Sequence, residues 1–295
     1  MRVLKFALYA LLLLMMAACA SGHVFDSIDV SSKARGMGGA WTASCDDATA
    51  VSYNPALLLE VSRMSVAFTY FQPNQQSFES LAYAAFSFPV WRKQRMAVSL
   101  RHFGVDYQGQ DLESESTLTF SHAFPVLKDI HSRFYVGYGI NVYMLEFGRT
   151  ENFDLGNENS LGLDLGLVGI LRERTRLGLY IRNVNEPSVG KYREEPIPRW
   201  VSVGVSYQPY YGVITELDLR SQRGENVEVL MGMQFAVTDM LDLRFGFQTE
   251  PNTLAGGFTL KIKSFEVDYA YSSHSALPGT HHVSLRAFLG REIGR

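Results

Sequence analysis

Along most of this chain apolar and polar residues alternate one for one, and only a strand with two unlike faces has that period. In Leu241-Asp242-Leu243-Arg244-Phe245-Gly246-Phe247-Gln248 every odd position is apolar and every even one is Asp, Arg, Gly or Gln. The pattern repeats from Phe265 to Tyr271, from Val227 to Phe235 and from Leu217 to Arg220. Sliding any of these by one residue would turn its charges to the apolar side, so each register is fixed. Earlier segments alternate with smaller partners. Leu161, Leu163, Leu165 and Leu167 are interleaved with Gly162, Asp164 and Gly166, and Val201, Val203 and Val205 with Ser202, Gly204 and Ser206. Small residues on the second face suit a crowded interior.

Such segments start near Val61, Phe78, Arg95, Leu112, Ser132, Asn159, Thr175, Pro198, Gly212, Asn226, Met240, Thr253, Ser264 and Gly279. That gives about fourteen, an even number, as closed membrane barrels require. Turn residues fall between them, as in Gln72-Pro73-Asn74, Arg223-Gly224-Glu225, Glu250-Pro251-Asn252 and Leu277-Pro278-Gly279. Longer gaps near Asp106, Thr150 and Asn185 read as loops.

A soluble sandwich would alternate too, but three features favour a membrane. The segments run to about ten residues, the length a tilted strand needs to cross hydrocarbon, against roughly five or six in soluble sheets. Aromatic residues are plentiful, with 19 Phe and 15 Tyr, and gather near segment ends, as interfacial girdles do. Tyr70 with Phe71, Phe86 with Phe88, Trp200, and Tyr207 with Tyr210 and Tyr211 are examples. The third feature is an export signal. Arg2 and Lys5 precede an uncharged run from Phe6 to Met16 and small residues at Ala17, Ala18 and Ala20. Its apolar core is too short for a spanning helix, and no other window is long enough. Cleavage after Ala20 and lipidation at Cys19 both fit. Beyond the inner membrane, a closed barrel is the sheet that satisfies every backbone polar group in lipid. The expectation is an all-β fold, a transmembrane antiparallel barrel of about fourteen strands in the bacterial outer membrane. Residues 1–20 form the signal, 21–60 a short, partly helical plug, and 61–295 the barrel.

The segment before the first strand does not alternate. Its glycines, Gly36, Gly38 and Gly39, follow no strand and open no βαβ unit, so they are no dinucleotide fingerprint. Close packing is the simpler reason for them. Asp46 or Asp47 is placed to cap a helix over Ala48 to Tyr53, which Asn54-Pro55 would end.

The run Arg35-Gly36-Met37-Gly38-Gly39-Ala40, then Asp46-Asp47-Ala48, then Asn54-Pro55-Ala56 resembles the start of the PorV/PorQ proteins, a branch of the FadL-like outer-membrane barrels. Leu179 to Val184, Val267 to His274 and Gly279 to Leu285 resemble the same family. One departure is the end of the chain, which continues past Phe288 instead of closing on an aromatic residue. The resemblance implies a plugged fourteen-strand barrel. It implies either uptake of a hydrophobic small molecule, with Met37, Trp41 and Leu57 as candidate lining residues, or docking of exported proteins and secretion-system subunits of the type IX pathway. A structural barrel with a filled lumen and no cargo is the alternative.

Charges on the polar face accumulate late in the chain: Glu216, Asp218, Arg220, Glu228, Asp242, Arg244, Lys261, Glu266 and Asp268. The bland reading is a ladder of paired charges that stiffens the wall and anchors the plug through Lys33 or Arg35; the functional one is a polar permeation path. His281 and His282 point to opposite faces of a strand and cannot share a metal. No nucleophile, base and acid stand in a recognisable order, so neither an enzyme nor a cofactor is expected. A formal charge of -3 gives no nucleic-acid surface. Lipid is the expected surroundings, and Cys45, the one cysteine outside the signal, is read as incidental.

Overall fold

The computed structural model describes residues 24–25, 29–91, 93–148, 157–190, 194–223 and 225–290, so the export signal and the last five residues lie outside the described residues. Fourteen antiparallel strands form one closed barrel, each pairing with its sequence neighbours. They are β1 (Met64–Phe71), β2 (Glu79–Pro89), β3 (Arg95–Tyr107), β4 (Gln110–Lys128), β5 (Ser132–Phe147), β6 (Asn157–Leu171), β7 (Thr175–Arg182), then β10 (Trp200–Tyr207), β11 (Val213–Gln222), β12 (Glu228–Thr238), β13 (Leu241–Thr249), β14 (Asn252–Ile262), β15 (Phe265–Ser272) and β16 (Thr280–Leu289). The pairs β8 (Ser188–Val189) and β9 (Glu195–Pro196) make a small ribbon in the β7–β10 connection. Closure is made by β1 on β16, from Met64 opposite Leu289 to Tyr70 opposite Val283. Every start expected from the alternation lies within three residues of an observed one.

The alternation is the barrel's two faces. In β10, Ser202 and Ser206 are buried while Val203, Val205 and Tyr207 lie outside. Phe68, Leu100, Phe120, Leu163, Leu219 and Phe245 continue that outward apolar belt around the wall. In a closed sheet such a belt belongs in lipid. No described helix is long and apolar enough to cross a membrane. Connections longer than five residues all lie at one end of the barrel, which marks it as the outer end, since inner turns are short.

Three expectations are corrected. The gap near Asp106 is no loop: β3 and β4 continue as a hairpin, with Asp106 opposite Asp111 and a turn at Gln108-Gly109. Polar residues on both faces hid this strand extension, because it stands clear of the lipid and needs no apolar side. Phe71 and Trp200 are buried in the lumen, so they are not girdle residues; each occupies a position whose alternation faces inward.

Residues 29–60 thread the lumen. A helical turn, Ser32–Gly36, is followed by a second at Ala50–Tyr53 and a 3-10 helix at Pro55–Glu60. Asn54 breaks the second turn with extended backbone (φ -164°, ψ 102°), as a residue before proline must. Inward glycines let this segment approach the wall. A Cβ on Gly246 would overlap Gly38 N, and one on Gly137 would fall 2.5 Å from the carbonyl carbon of Pro55. Gly38 also has φ +67°, which favours glycine independently. Overfilling such a contact costs about 1–3 kcal/mol, so Gly246→Val should raise the population with a displaced plug by roughly fivefold to a hundredfold. In a Cys19→Ser background, maleimide labelling of the buried Cys45 should accelerate accordingly, while Gly169→Val, whose Cβ would meet nothing within 4 Å, should leave it unchanged.

Candidate functional site

The plug has two unlike sides, and each meets the half of the wall that matches it. Val30, Ala34, Val51, Ala56, Leu57 and Leu58 pack on Ala67, Leu81, Ala85, Ala97, Tyr135, Val168 and Ile170 of β1–β6. Against β11–β16 the contacts are polar. The backbone N–H groups of Trp41 and Thr42 donate to Asp218 Oδ2 at 2.9 and 3.0 Å, and that of Ala43 to Glu216 Oε1 at 2.6 Å. The Ser44 hydroxyl donates to Glu216 Oε2. Two strand carboxylates, two residues apart and therefore on one face, thus take up consecutive donors of an irregular backbone stretch that would otherwise be buried unmet.

Arg286 is the main ionic tie. Its guanidinium grips Asp268 through Nε (2.6 Å) and Nη2 (2.8 Å), donates from Nη1 to Asp47 of the plug at 3.0 Å, and lies 2.5 Å from Glu266. Arg244 donates to Gln234 and Thr259 at 2.8 and 2.6 Å and stands 3.7 Å from both Asp242 and Asp268. Lys261 pairs with Asp242 at 2.8 Å. Arg220 donates to the Gly39 carbonyl at 3.2 Å and faces Glu228 at 3.7 Å.

Eight of the nine candidate lumen charges thus engage the plug or one another, and the ninth, Glu266, pairs with Arg286. Their polarity differs from the expected anchoring through Lys33 or Arg35. Lys33 pairs within the plug, with Asp46 at 2.6 Å, and Arg35 pairs there with Asp29 at 3.1 Å, reaching the wall only at Gln248 Oε1. The wall supplies the cation, Arg286, and the plug the carboxylate, Asp47. Arg286 itself was legible as the charged member of Leu285-Arg286-Ala287, but it stands in a strand with no other charge to draw attention.

The remaining motif residues are placed as follows. Gly36 lies against Arg244, whose Cβ would be 3.3 Å from an added Cβ. Gly39 (φ +85°) carries the carbonyl that Arg220 holds. Asn54 Nδ2 donates to the carbonyls of Thr42 (2.9 Å) and Leu167 (3.2 Å), and Pro55 rests on Gly166. Glu60 closes the inner end between Arg133 (3.3 Å) and Arg176 (3.2 Å). At the outer end Phe25 sits in an apolar cage with Tyr143, Leu145, Val189 and Ile197.

Met37, Trp41 and Leu57 are fully buried, and none of them borders the chamber left between plug and wall. Met37 fills the space above Gly232. At full burial all three are packing residues of the plug in this arrangement. The chamber itself, about 60 Å³, has a mixed lining, polar at Asp29, Arg101, Asn141 and Asp164 and apolar or aromatic at Val30, Val51 and Trp200. Burial pushes the Cys45 thiol well up, which keeps it from acting as a thiolate. No described cluster of His, Cys, Asp and Glu has metal-binding geometry.

No protein-family model and no curated protein sequence matches the chain. Solved structures match it in fold. The toluene transporter TbuX of Ralstonia pickettii superposes with a TM-score of 0.62 at 14% identity, covering 90% of this chain and 100% of its own. A Pseudomonas aeruginosa FadL homologue gives 0.62 at 10%, with 90% and 100% covered. The monoaromatic hydrocarbon channel CymD gives 0.65 at 14%, with 91% and 100% covered. At these identities the likeness is one of fold. Closed fourteen-strand wall, outward apolar belt and plug-filled lumen together make a transmembrane barrel of the same fold as that FadL homologue.

Breaking a buried ion pair strands its partner and costs about 3–5 kcal/mol. Arg286→Gln should lower stability toward urea in detergent micelles by about that amount, and Asp47→Asn by less, because Asp268 keeps Arg286 compensated. A second expectation concerns pH. Burial alone would raise the Asp29 carboxyl, but Arg220 and Arg35 outweigh it and hold the group below its ordinary value. A depressed carboxylate stabilises above its unfolded pKa of about 3.9 and loses that contribution as pH falls through the folded value. Hydrogen-exchange protection of amides 35–40, corrected for intrinsic rate, should therefore hold from neutral pH to about 5 and fall only below about 4.

Proposed function

We propose that this protein passes small, largely apolar molecules across the outer membrane, with the plug as a displaceable closure. The observation that carries the reading is the makeup of the plug's contacts with β11–β16. Hydrogen bonds and ion pairs to groups that water can satisfy equally predominate there, so leaving that side costs chiefly the packing of Met37 on Gly232 and of Gly38 on Gly246. The names of the solved relatives, toluene transporters and a hydrocarbon channel, support the apolar class. So does an apolar groove of about 530 Å³ on the lipid face, lined by Phe68, Tyr70, Ala82, Ala84, Leu100 and Leu285, because Tyr83 borders both that groove and the inner chamber. A secretion-accessory role keeps only the sequence resemblance, carried by Arg35 to Ala56, Leu179 to Val184, Val267 to His274 and Gly279 to Leu285, in its favour. One of the loops it would use, residues 106–115, is a hairpin.

A lock on the plug separates transport from a static filled lumen. The hydroxyls of Ser32 and Ser284 lie 2.7 Å apart, so Ser32→Cys with Ser284→Cys, in a Cys45→Ser background, is placed to bond plug to wall. Cells carrying the unlocked protein should take up labelled toluene faster than cells without it. The oxidised double variant should lose that gain and recover it on reduction. Uptake equal to the empty-vector level in the unlocked protein would refute transport, and uptake unaffected by the lock would refute the plug as its closure.

A further inference from the structure

At the inner end of the barrel three turns meet where the apolar belt stops. Residues 129–131 join β4 to β5, 172–174 join β6 to β7, and 208–212 join β10 to β11. The Arg172 N–H donates to the His131 carbonyl and the Gln208 N–H to the Arg174 carbonyl, both at 2.8 Å, which ties the three turns together. They border an open groove of about 1160 Å³ whose lining includes Ile130, His131, Leu171, Arg172, Arg174 and Tyr207.

The lining has an apolar and a basic part. Leu171 and Tyr207 are the last outward residues of β6 and β10, so they continue the belt that faces lipid. Ile130, 83% exposed, extends that surface past the strand ends. Arg172 and Arg174 stand in the turn beyond Leu171. The backbone of Arg172 and Glu173 is left-handed, with φ +49° and +61°, and a hairpin turn favours glycine or asparagine at such positions. The turn itself therefore gives no reason for an arginine there.

Positive charge remains in excess after the partners are counted. Glu173 faces Arg133 at 3.7 Å, Arg133 also meets Glu60 at 3.3 Å, and Glu60 meets Arg176 at 3.2 Å. With Lys128 and Asp129 beside them, the cations are Lys128, Arg133, Arg172, Arg174 and Arg176, and the carboxylates Glu60, Asp129 and Glu173, a surplus of two. Among the described residues no carboxylate pairs with Arg172 or Arg174. The outer end has the opposite sign. There the extended β3–β6 carry Asp106, Asp111, Glu113, Glu146 and Glu158, and residues 104–116 and 157–163 contain no Lys or Arg.

We propose that this groove binds an anionic glycerophospholipid of the inner leaflet. Its phosphate lies against Arg172 and Arg174, and the upper part of its acyl chains lies on Leu171, Tyr207 and Ile130. The belt already puts lipid against Leu171 and Tyr207, and the surplus charge selects among lipids those with a negative headgroup. A free phosphate ion would leave the apolar part of the groove facing water. The site rests on the membrane placement of the barrel and is independent of what the lumen carries.

The test is native mass spectrometry of the full chain, delipidated in detergent micelles and then offered equal amounts of phosphatidylglycerol, phosphatidylethanolamine and phosphatidylcholine. Wild type should retain phosphatidylglycerol over phosphatidylcholine by about tenfold or more. Arg172→Asn combined with Arg174→Gln should bring that ratio close to one. Asparagine suits the left-handed turn, so this variant should keep a heat-modifiable barrel. Lys263→Asn removes a cation from another inner turn, β14–β15, at the same kind of backbone position (φ +55°), and should leave the preference unchanged. Equal retention of the three lipids by wild type overturns the site and assigns the arginines to an acidic protein segment instead. A preference undiminished in the folded double variant, or lost equally in Lys263→Asn, also overturns it. Should the double variant not fold, wild type titrated with phosphatidylglycerol and with glycerol 1-phosphate decides: the soluble ester binding as tightly as the lipid overturns the site, and binding weaker by about tenfold or more supports it.

Discussion

A barrel of eight strands can be filled by its own inward side chains; one of fourteen cannot. The space that remains must hold water or protein, and here it holds residues 29–60. That necessity explains features of the wall that lipid does not require. Inward positions carry glycine where the plug passes, as at Gly137, Gly166 and Gly246. They carry an apolar cluster along β1–β6, beside the buried charges of Arg101, Glu115, Arg133 and Asp164, and are mainly charged and polar along β11–β16. Wall and plug were therefore selected as one packing problem, although a strand-by-strand reading treats them separately.

Buried charge is costly, and a lumen lined with it is stable only if each group is paired and hydrogen-bonded. The arrangement around Arg286 meets that condition, with three carboxylates on one guanidinium and Thr259 bridging Arg244 to Asp268. Apolar residues of the same volume would often be at least as stabilising. What the charges add is direction. Asp47 finds its partner in one place and orientation, which fixes the height of the plug in a tube whose apolar side would tolerate sliding.

Strand positions were legible because lipid on one side and a largely polar interior on the other impose alternation over the membrane thickness, most strictly in the second half of the chain. Where that constraint ends, so did legibility: β3 and β4 continue into water as polar hairpin, and residues 106–115 read as loop. Trp200 and Phe71 misled because aromatic residues at strand ends serve either face, and only the register decides. The plug's glycines and its Asn54-Pro55 break were visible as local chemistry. Their partners lie more than a hundred residues away in the wall, so sequence spacing carried no sign of which half each would touch. The inward pointing of the late charges was readable; that wall cations hold a plug carboxylate, and wall carboxylates hold plug N–H groups, required the fold.

The two kinds of contact also differ in what water can replace. Glycine-to-backbone packing and the apolar cluster on β1–β6 have no aqueous substitute, whereas the donors of residues 41–44 and the carboxylate of Asp47 do. In a dry lumen the polar ties are the stronger restraint, because the low dielectric raises the energy of separating charge. Once water enters they become the weaker one. The chamber adjoins this side through Arg220 of β11, so a few water molecules there would weaken the polar ties on β11–β16 first. Hydration, more than the number of contacts, thus sets which edge of the plug yields.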